Sequence, residues 1–317
     1  MKKEKKLRLL GECALAGLAW AMVPLFPRAC VVGLARFLGN VGFRLSRRDR
    51  RVAMANLDLA FGAALSRAEK EAIACAAFQT FTLVLLDLFC FGRRKRKRIE
   101  AHVKFDPSFD HYLKTAPVIA VTAHFGNWEI MGQAAAVHGE PPVSVAAPLP
   151  NRFVDRMLTR LREGTGQEIS AQAGAVRSLM KALRAGGRTA LLMDQNTLPR
   201  DGGEFVDLFG RPVPISKAAA GLASHTGAPV VFTYCVADAD GTYTAHALPP
   251  VHARGERGAG RDLTQTIAQM LESVVRKHPG QWLWMYKRWK YIPQNETPDR
   301  YPFYARRLEA EIKGGDE

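Results

Sequence analysis

The sequence lacks the features that define several common protein classes. Its five cysteines, Cys13, Cys30, Cys75, Cys90 and Cys235, are odd in number, scattered and never spaced C-x-x-C. That argues against a disulfide framework and a structural zinc site, and favours reduced thiols in or facing the cytosol. Cys235 sits in a strand-like apolar run and is expected in the core. Near the N-terminus the unbroken apolar run at 13–26 has 14 residues, short of the roughly 20 that cross a bilayer upright. No internal repeat or low-complexity linker occurs, so no boundary is expected inside 100–317. Acidic residues are few: 30 Asp and Glu against 45 Lys and Arg give a formal net charge of +15, which points to anionic partners. The six consecutive basic residues at 93–98 lack interleaved aromatics, zinc spacing or a helix-turn-helix pattern. Nucleic acid is therefore the weaker reading, and a docking patch for anionic lipid or an acidic carrier protein is expected instead.

What is present begins with an apolar, basic-flanked segment. Residues 1–6 carry four lysines, and 9–26 is then apolar apart from Glu12, ending at Pro24 and Pro27. A cleaved leader looks similar, but the apolar pattern resumes over 29–43, which a leader would not need. Residues 1–45 are expected to form a membrane-anchoring helical region, tilted across the bilayer or lying in its interface, with the basic flanks cytoplasmic. A buried helical hairpin is the plain alternative. The five arginines from Arg44 to Arg51 suit the phosphate layer next to such a segment. Residues 46–317 form the second unit, with 46–100 a helical lead-in. Within it Ser66-Arg67-Ala68-Glu69 reads as a capping box, starting a helix near Arg67 that continues toward Phe89.

From Pro117 the pattern alternates. Strands are expected at 118–123, 142–146, 168–170, 189–193, 229–236 and 243–248, and helices at 128–137, 151–162, 175–184, 216–226 and 262–277. The last two strands are expected to pair with each other. Such alternation implies an α/β fold, a mostly parallel sheet flanked by helices. With 317 residues, 47% of them hydrophobic, the chain can bury a substantial core.

The chemistry concentrates where the apolar run Val118–Thr122 and Ala123 stop at His124, followed by Phe125-Gly126-Asn127-Trp128-Glu129. The C-terminal end of a parallel strand is where open α/β sheets place their sites. Inside one helix, side chains five residues apart would diverge by about 140°. With His124 still in the turn, Glu129 can serve as its carboxylate partner, holding the ring tautomer while the imidazole takes a proton. Asp194 follows the strand 189–193 as His124 follows its own, so two parallel strand ends are expected to bring both to one crest. Residues 281–290 mix Trp282, Trp284, Tyr286 and Trp289 with Lys287, Arg288 and Lys290. They suit a membrane–water interface, with a core strand as the alternative.

These residues resemble a known family. His124-Phe125-Gly126-Asn127-Trp128-Glu129 is similar to the H-x4-D/E motif of membrane acyltransferases, in the form found in bacterial lipid A biosynthesis (lauroyl/myristoyl) acyltransferases. Residues 51–61, Asp194-Gln195-Asn196, Gln281-Trp282-Leu283-Trp284 and Arg288-Trp289-Lys290 fit the same family in order, over nearly the whole chain. The resemblance implies a glycerolipid acyltransferase-like fold with N-terminal anchoring helices, and direct acyl transfer from acyl carrier protein to a hydroxyl of a lipid A precursor. It implies no acyl-enzyme, no metal and no cofactor. It also implies a place on the cytoplasmic face of the bacterial inner membrane. His124 and Glu129 would be catalytic, and Arg162, Asp194, Asn127 and Gln195 would bind substrate, Arg160 competing with Arg162 for its role. Tyr286 departs from the pattern, since relatives often carry His there, so no catalytic role is carried over to it. Two alternatives stay open: another glycolipid, phosphoglycolipid or lysophospholipid acceptor, and a membrane-surface binding protein without activity.

Overall fold

The computed structural model describes residues 2–92, 95–148, 151–172, 174–253 and 259–308. The chain opens with helices α1 (Lys2–Met22), α2 (Arg28–Leu45), α3 (Arg47–Phe61), α4 (Arg67–Cys90) and α5 (Lys95–His102), then strand β1 (Val103–Phe105) and the short α6 (Asp110–Leu113). The alternating part follows as β2 (Val118–Thr122), α7 (Trp128–Val137), β3 (Pro142–Ala146), α8 (Arg152–Glu163), β4 (Glu168–Ala171), α9 (Ala175–Arg184) and β5 (Arg188–Leu192). After it come β6 (Gly203–Leu208), β7 (Arg211–Ser216), α10 (Ala218–Thr226), β8 (Val230–Ala237), β9 (Tyr243–Ala247) and α11 (Ala259–Lys277). The main sheet has seven strands in the order β1-β9-β8-β2-β5-β3-β4. All neighbours are parallel except β8 and β9, which run antiparallel.

β2 lies at the centre, and its alternation explains the layering. Ile119 and Val121 face one buried cluster, with α9, α10, α11 and the tryptophans Trp282, Trp284 and Trp289. Val118 and Ala120 face the other, with α2, α4, α5 and α7. A strand buried on both faces reads as a continuous apolar run, which is why Val118–Thr122 shows no polar alternation. α4 starts on the expected capping box, Ser66 accepting from the Glu69 N–H while Glu69 takes the Ser66 N–H at 2.7 Å. It packs closely on α2 at Gly39, where a Cβ would stand 2.5 Å from the Gln79 Cα.

At the N-terminus Pro24 and Pro27 break α1 from α2 as expected. α2 turns Val31, Val32, Ala35 and Gly39 inward and leaves Leu34, Phe37, Leu38 and Leu45 exposed. Leu18, Trp20, Met22, Leu25 and Phe26 extend the exposed apolar surface. Among the described residues one helix, α4, is long and apolar enough to cross a membrane, and it packs against α2 and α3 within the body.

Two expectations need correction, and one element, the hairpin β6–β7, lies where no strand is expected; its second strand carries Pro212 and Pro214. A two-stranded hairpin has only edges, so prolines are tolerated there, and the tight turn is made by Phe209 (φ 52°) and Gly210 (φ 70°). Residues 281–290 form neither a strand nor an interface belt: Trp282, Trp284 and Trp289 are fully buried. The basic run is only partly a surface patch, and Arg93 and Arg94 lie outside the described residues. Arg96 donates to the Val137 carbonyl at 3.1 Å, and Arg98 donates to the carbonyls of Cys90 and Pro24. Burial lowers the Lys95 pKa to about 8.

Candidate active site

β2 and β5 pair in register, Thr122 opposite Leu192. Each chain end then runs two residues further, so His124 and Asp194 meet at one crest as expected. The Asp194 carboxylate takes the His124 ring at Nδ1, 2.8 Å away, and the His124 backbone N–H at 3.1 Å. Its second oxygen also accepts from the Trp282 indole at 3.0 Å and lies 3.2 Å from Arg288. Burial alone would push this carboxyl upward, but the charges of Arg288 and His124 and the His124 hydrogen bonds hold it well below the usual carboxylate range. An ionised carboxylate only accepts, so Nδ1 carries the hydrogen, and in the neutral ring Nε2 is the nitrogen with the lone pair. The Nε2 side faces the exposed Gln195, whose amide nitrogen is 3.4 Å away, and the Trp128 ring lies beside the imidazole.

The carboxylate that orients His124 is therefore Asp194, a correction to the expected Glu129. Glu129 lies in the first turn of α7 and grips Arg162 with both oxygens, at 2.8 Å from Nε and 2.6 Å from Nη2. A fork–fork pair of this kind fixes both side chains in one plane. Arg162, not the exposed Arg160, is thus the arginine held by Glu129. The four residues expected to bind substrate also separate. Gln195 is exposed and Arg162 partly so, whereas Asp194 has no exposed side-chain surface and Asn127 is buried, so neither of those two can touch a substrate as placed.

Asn127 instead shapes the turn. Its side-chain oxygen caps α7 at the Ile130 N–H, 3.0 Å, and its amide donates to Asp87 at 3.1 Å. Asp87 is fully buried and also receives the Arg28 guanidinium and the Tyr243 hydroxyl. Burial opposes the Arg28 charge, but the paired carboxylate raises the Arg28 pKa and keeps it protonated. On the other side, the turn lies between β8 and residues 281–283. The Gly126 N–H donates to the Gln281 carbonyl at 2.8 Å, the Leu283 N–H to the His124 carbonyl at 3.0 Å, and the Asn127 N–H to the Cys235 carbonyl at 3.2 Å. Gly126 has φ 52°, and a Cβ there would stand 1.6 Å from the Cys235 oxygen. Only glycine fits.

Trp282 and Arg288 are the site residues the sequence reading missed. Their motifs were visible, but cations interleaved with aromatics suggest a headgroup layer equally well. The distinguishing fact, a buried arginine stacked 4.0 Å over the Trp282 ring and aimed at one carboxylate, requires the fold. Among the described residues no cluster of His, Cys, Asp or Glu could hold a metal.

A histidine with Nδ1 fixed by a buried carboxylate and Nε2 turned toward the exposed Gln195, at the crest of a parallel sheet behind an H-x4-E turn, fits the expected acyltransferase class. The sequence places it further: the chain belongs to the bacterial lipid A biosynthesis acyltransferase family, which it matches over residues 1–291. It is similar to the lipid A biosynthesis lauroyltransferase of Escherichia coli, 25% identical over 298 residues, covering 90% of this chain and 92% of the relative. The lipid A biosynthesis acyltransferase 2 of Shigella flexneri is 23% identical over 283 residues, 88% of each chain. A phosphatidylinositol mannoside acyltransferase of Mycobacterium tuberculosis is 27% identical over 169 residues, and that match spans about half of either chain, 52%. Among solved structures, the 1-acyl-sn-glycerophosphate acyltransferase PlsC of Thermotoga maritima aligns with 80% of this chain and 98% of its own, at 14% identity and a TM-score of 0.37.

Proposed function

We propose that this protein transfers a fatty acyl chain from acyl carrier protein to a hydroxyl of a lipid A precursor. The observation that carries the reading is the His124–Asp194 pair with Nε2 open beside Gln195. Nε2 takes the proton of the acceptor hydroxyl as its oxygen attacks the thioester carbonyl. The tetrahedral intermediate collapses, the C–S bond breaks, and the imidazolium returns the proton to the departing thiolate. The products are an ester and a free carrier thiol. Asp194 holds the tautomer and stabilises the imidazolium, as the carboxylate does in serine-hydrolase triads. Glu129 acts through Arg162, keeping its guanidinium at the crest for the anionic acceptor. No serine or cysteine attacks, and Cys235 is buried with its thiol pKa pushed up by burial.

The exposed apolar surface of α1 and α2 supports attachment to the membrane that holds the acceptor, with the crest on the cytoplasmic side where carrier protein is found. The mycobacterial match favours one other acceptor class, a phosphoglycolipid. Purified protein in detergent, given acyl carrier proteins of varied chain length and each class of acceptor, decides by product mass. An acylated lipid A precursor is the expected product. Acylation of the phosphoglycolipid alone would replace the acceptor, and no ester product from any acceptor would sink the reading.

A further inference from the structure

A cavity of about 420 Å³ lies next to the crest, lined by Arg48, Asp49 and Val52 of α3, Asn196 from the loop after β5, and Met285, Tyr286, Lys287 and Lys290. We propose that it is a phosphate-binding subsite for one of the two substrates, a role that rests on reading the crest as a hydroxyl acyltransferase. Two cations, Arg48 and Lys287, face it against one carboxylate, Asp49, which is engaged with the Ser46 hydroxyl at 2.7 Å; the Lys290 ammonium, which also lines it, donates to the Tyr291 hydroxyl at 2.8 Å. The charge left over suits a phosphate ester.

Its wall is built rather than incidental. The Tyr286 hydroxyl accepts from the Asn196 backbone at 3.1 Å and from its side-chain amide at 3.2 Å, and that amide also donates to the Lys287 carbonyl at 2.9 Å. With its oxygen so occupied, the Tyr286 O–H points its own hydrogen elsewhere and can donate to a phosphate oxygen. The Asn196 side-chain oxygen is buried and without a partner in the structure. An orphan acceptor beside cations fits a ligand that carries a hydroxyl or amide N–H close to its phosphate. The ammonium of Lys287 lies over the Tyr304 ring at 5.8 Å and that of Lys290 over Tyr291 at 4.6 Å, which limits the freedom of both.

The link to the reaction is short. Asn196 follows Gln195, whose amide lies 3.4 Å from the reactive nitrogen of His124. The subsite is assembled from three distant stretches of chain, and it is separate from the Glu129–Arg162 pair. Two phosphates could fill it: one on the sugar of the acceptor, or the phosphodiester of the carrier's prosthetic arm.

The test compares the full-length protein with Lys287→Gln and, separately, Arg48→Gln, in detergent. Loss of one charge-assisted hydrogen bond should raise the KM of the phosphate-bearing substrate by ~10–100-fold. If the acceptor supplies the phosphate, the wild-type preference for phosphorylated over dephosphorylated acceptor, read as a ratio of kcat/KM, collapses toward one in the variants. If the donor supplies it, the carrier KM rises instead and the acceptor preference survives. Inorganic pyrophosphate, titrated by calorimetry, reads the subsite without turnover and should bind wild type more tightly than either variant. A wild type that binds pyrophosphate but esterifies nothing would refute the functional reading and leave the subsite standing. Folded variants with unchanged KM for both substrates and unchanged pyrophosphate binding would overturn the subsite.

Discussion

At the scale of single residues, the site depends on a few side chains whose surroundings leave little choice. Asp194 is a buried carboxylate with four partners, and Arg288 is its buried counter-charge. Replacing Arg288 by Met strands that carboxylate, so the variant should lose about 3–5 kcal/mol of stability at neutral pH. The pH dependence follows from the sign. In the wild type the Asp194 pKa is depressed below its ordinary value of 3.8, so its stabilisation is complete above that value and is lost as pH falls through the folded pKa. In Arg288→Met, protonation relieves the stranded charge, so the gap to wild type should narrow as pH falls. Denaturant melts of both proteins from pH 7 downward check this, and a constant gap would contradict it. Gly126→Ala should be worse than an ordinary glycine change, because the strained φ and the Cys235 carbonyl act together. Turnover should fall more than tenfold, a loss that a protein with shifted Tm but wild-type kcat would contradict. His124, Glu129 and Gly126 were legible because they share one short motif after an apolar run. The choice between Glu129 and Asp194 as partner was not, since it depends on which strand lies next to β2.

At the scale of elements, the turn between β2 and α7 is clamped from two sides: by residues 281–283 and by the buried Asp87 with Arg28, Tyr243 and Asn127. Asn127→Ala removes the α7 cap and one donor to Asp87, which should cost about 1–2 kcal/mol in stability and lower kcat, with the substrate KM values changed less. Chemical denaturation and steady-state kinetics on the same sample separate the two effects, and a variant with normal kcat would make Asn127 a cap and nothing more. Helices and central strands were legible to within a few residues because their periods are strong: α7 and α9 match their expected bounds, and α4 begins on its capping box. The β6–β7 hairpin and the buried segment after α11 were not. The first hides behind prolines in edge positions, and the second carries an aromatic-cationic pattern that suits a headgroup layer as well as a core.

At the scale of the whole molecule, the mostly parallel sheet was legible from the alternation after Pro117, whereas the way 46–100 closes over it was not. On either side of residue 45, α2 contacts α3 and lies along α4. The exposed apolar faces of α1 and α2 should keep the protein in the membrane pellet through a high-salt wash, because apolar burial is insensitive to screening. Detergent should release it. Release by salt alone would reduce the attachment to the +15 net charge.

Asp194, and not Glu129, is bonded to the His124 ring, and the proposed deprotonation of the acceptor hydroxyl depends on that bond. The most direct measurement is nitrogen-15 NMR of labelled histidine in wild type, Asp194→Asn and Glu129→Gln, with kcat taken on the same samples. A His124 hydrogen on Nδ1 is expected in wild type and in Glu129→Gln. In Asp194→Asn that signal should be lost, with kcat lower by about 10²–10⁴. A His124 tautomer that survives in Asp194→Asn with near-normal kcat, or that changes only in Glu129→Gln, would contradict it.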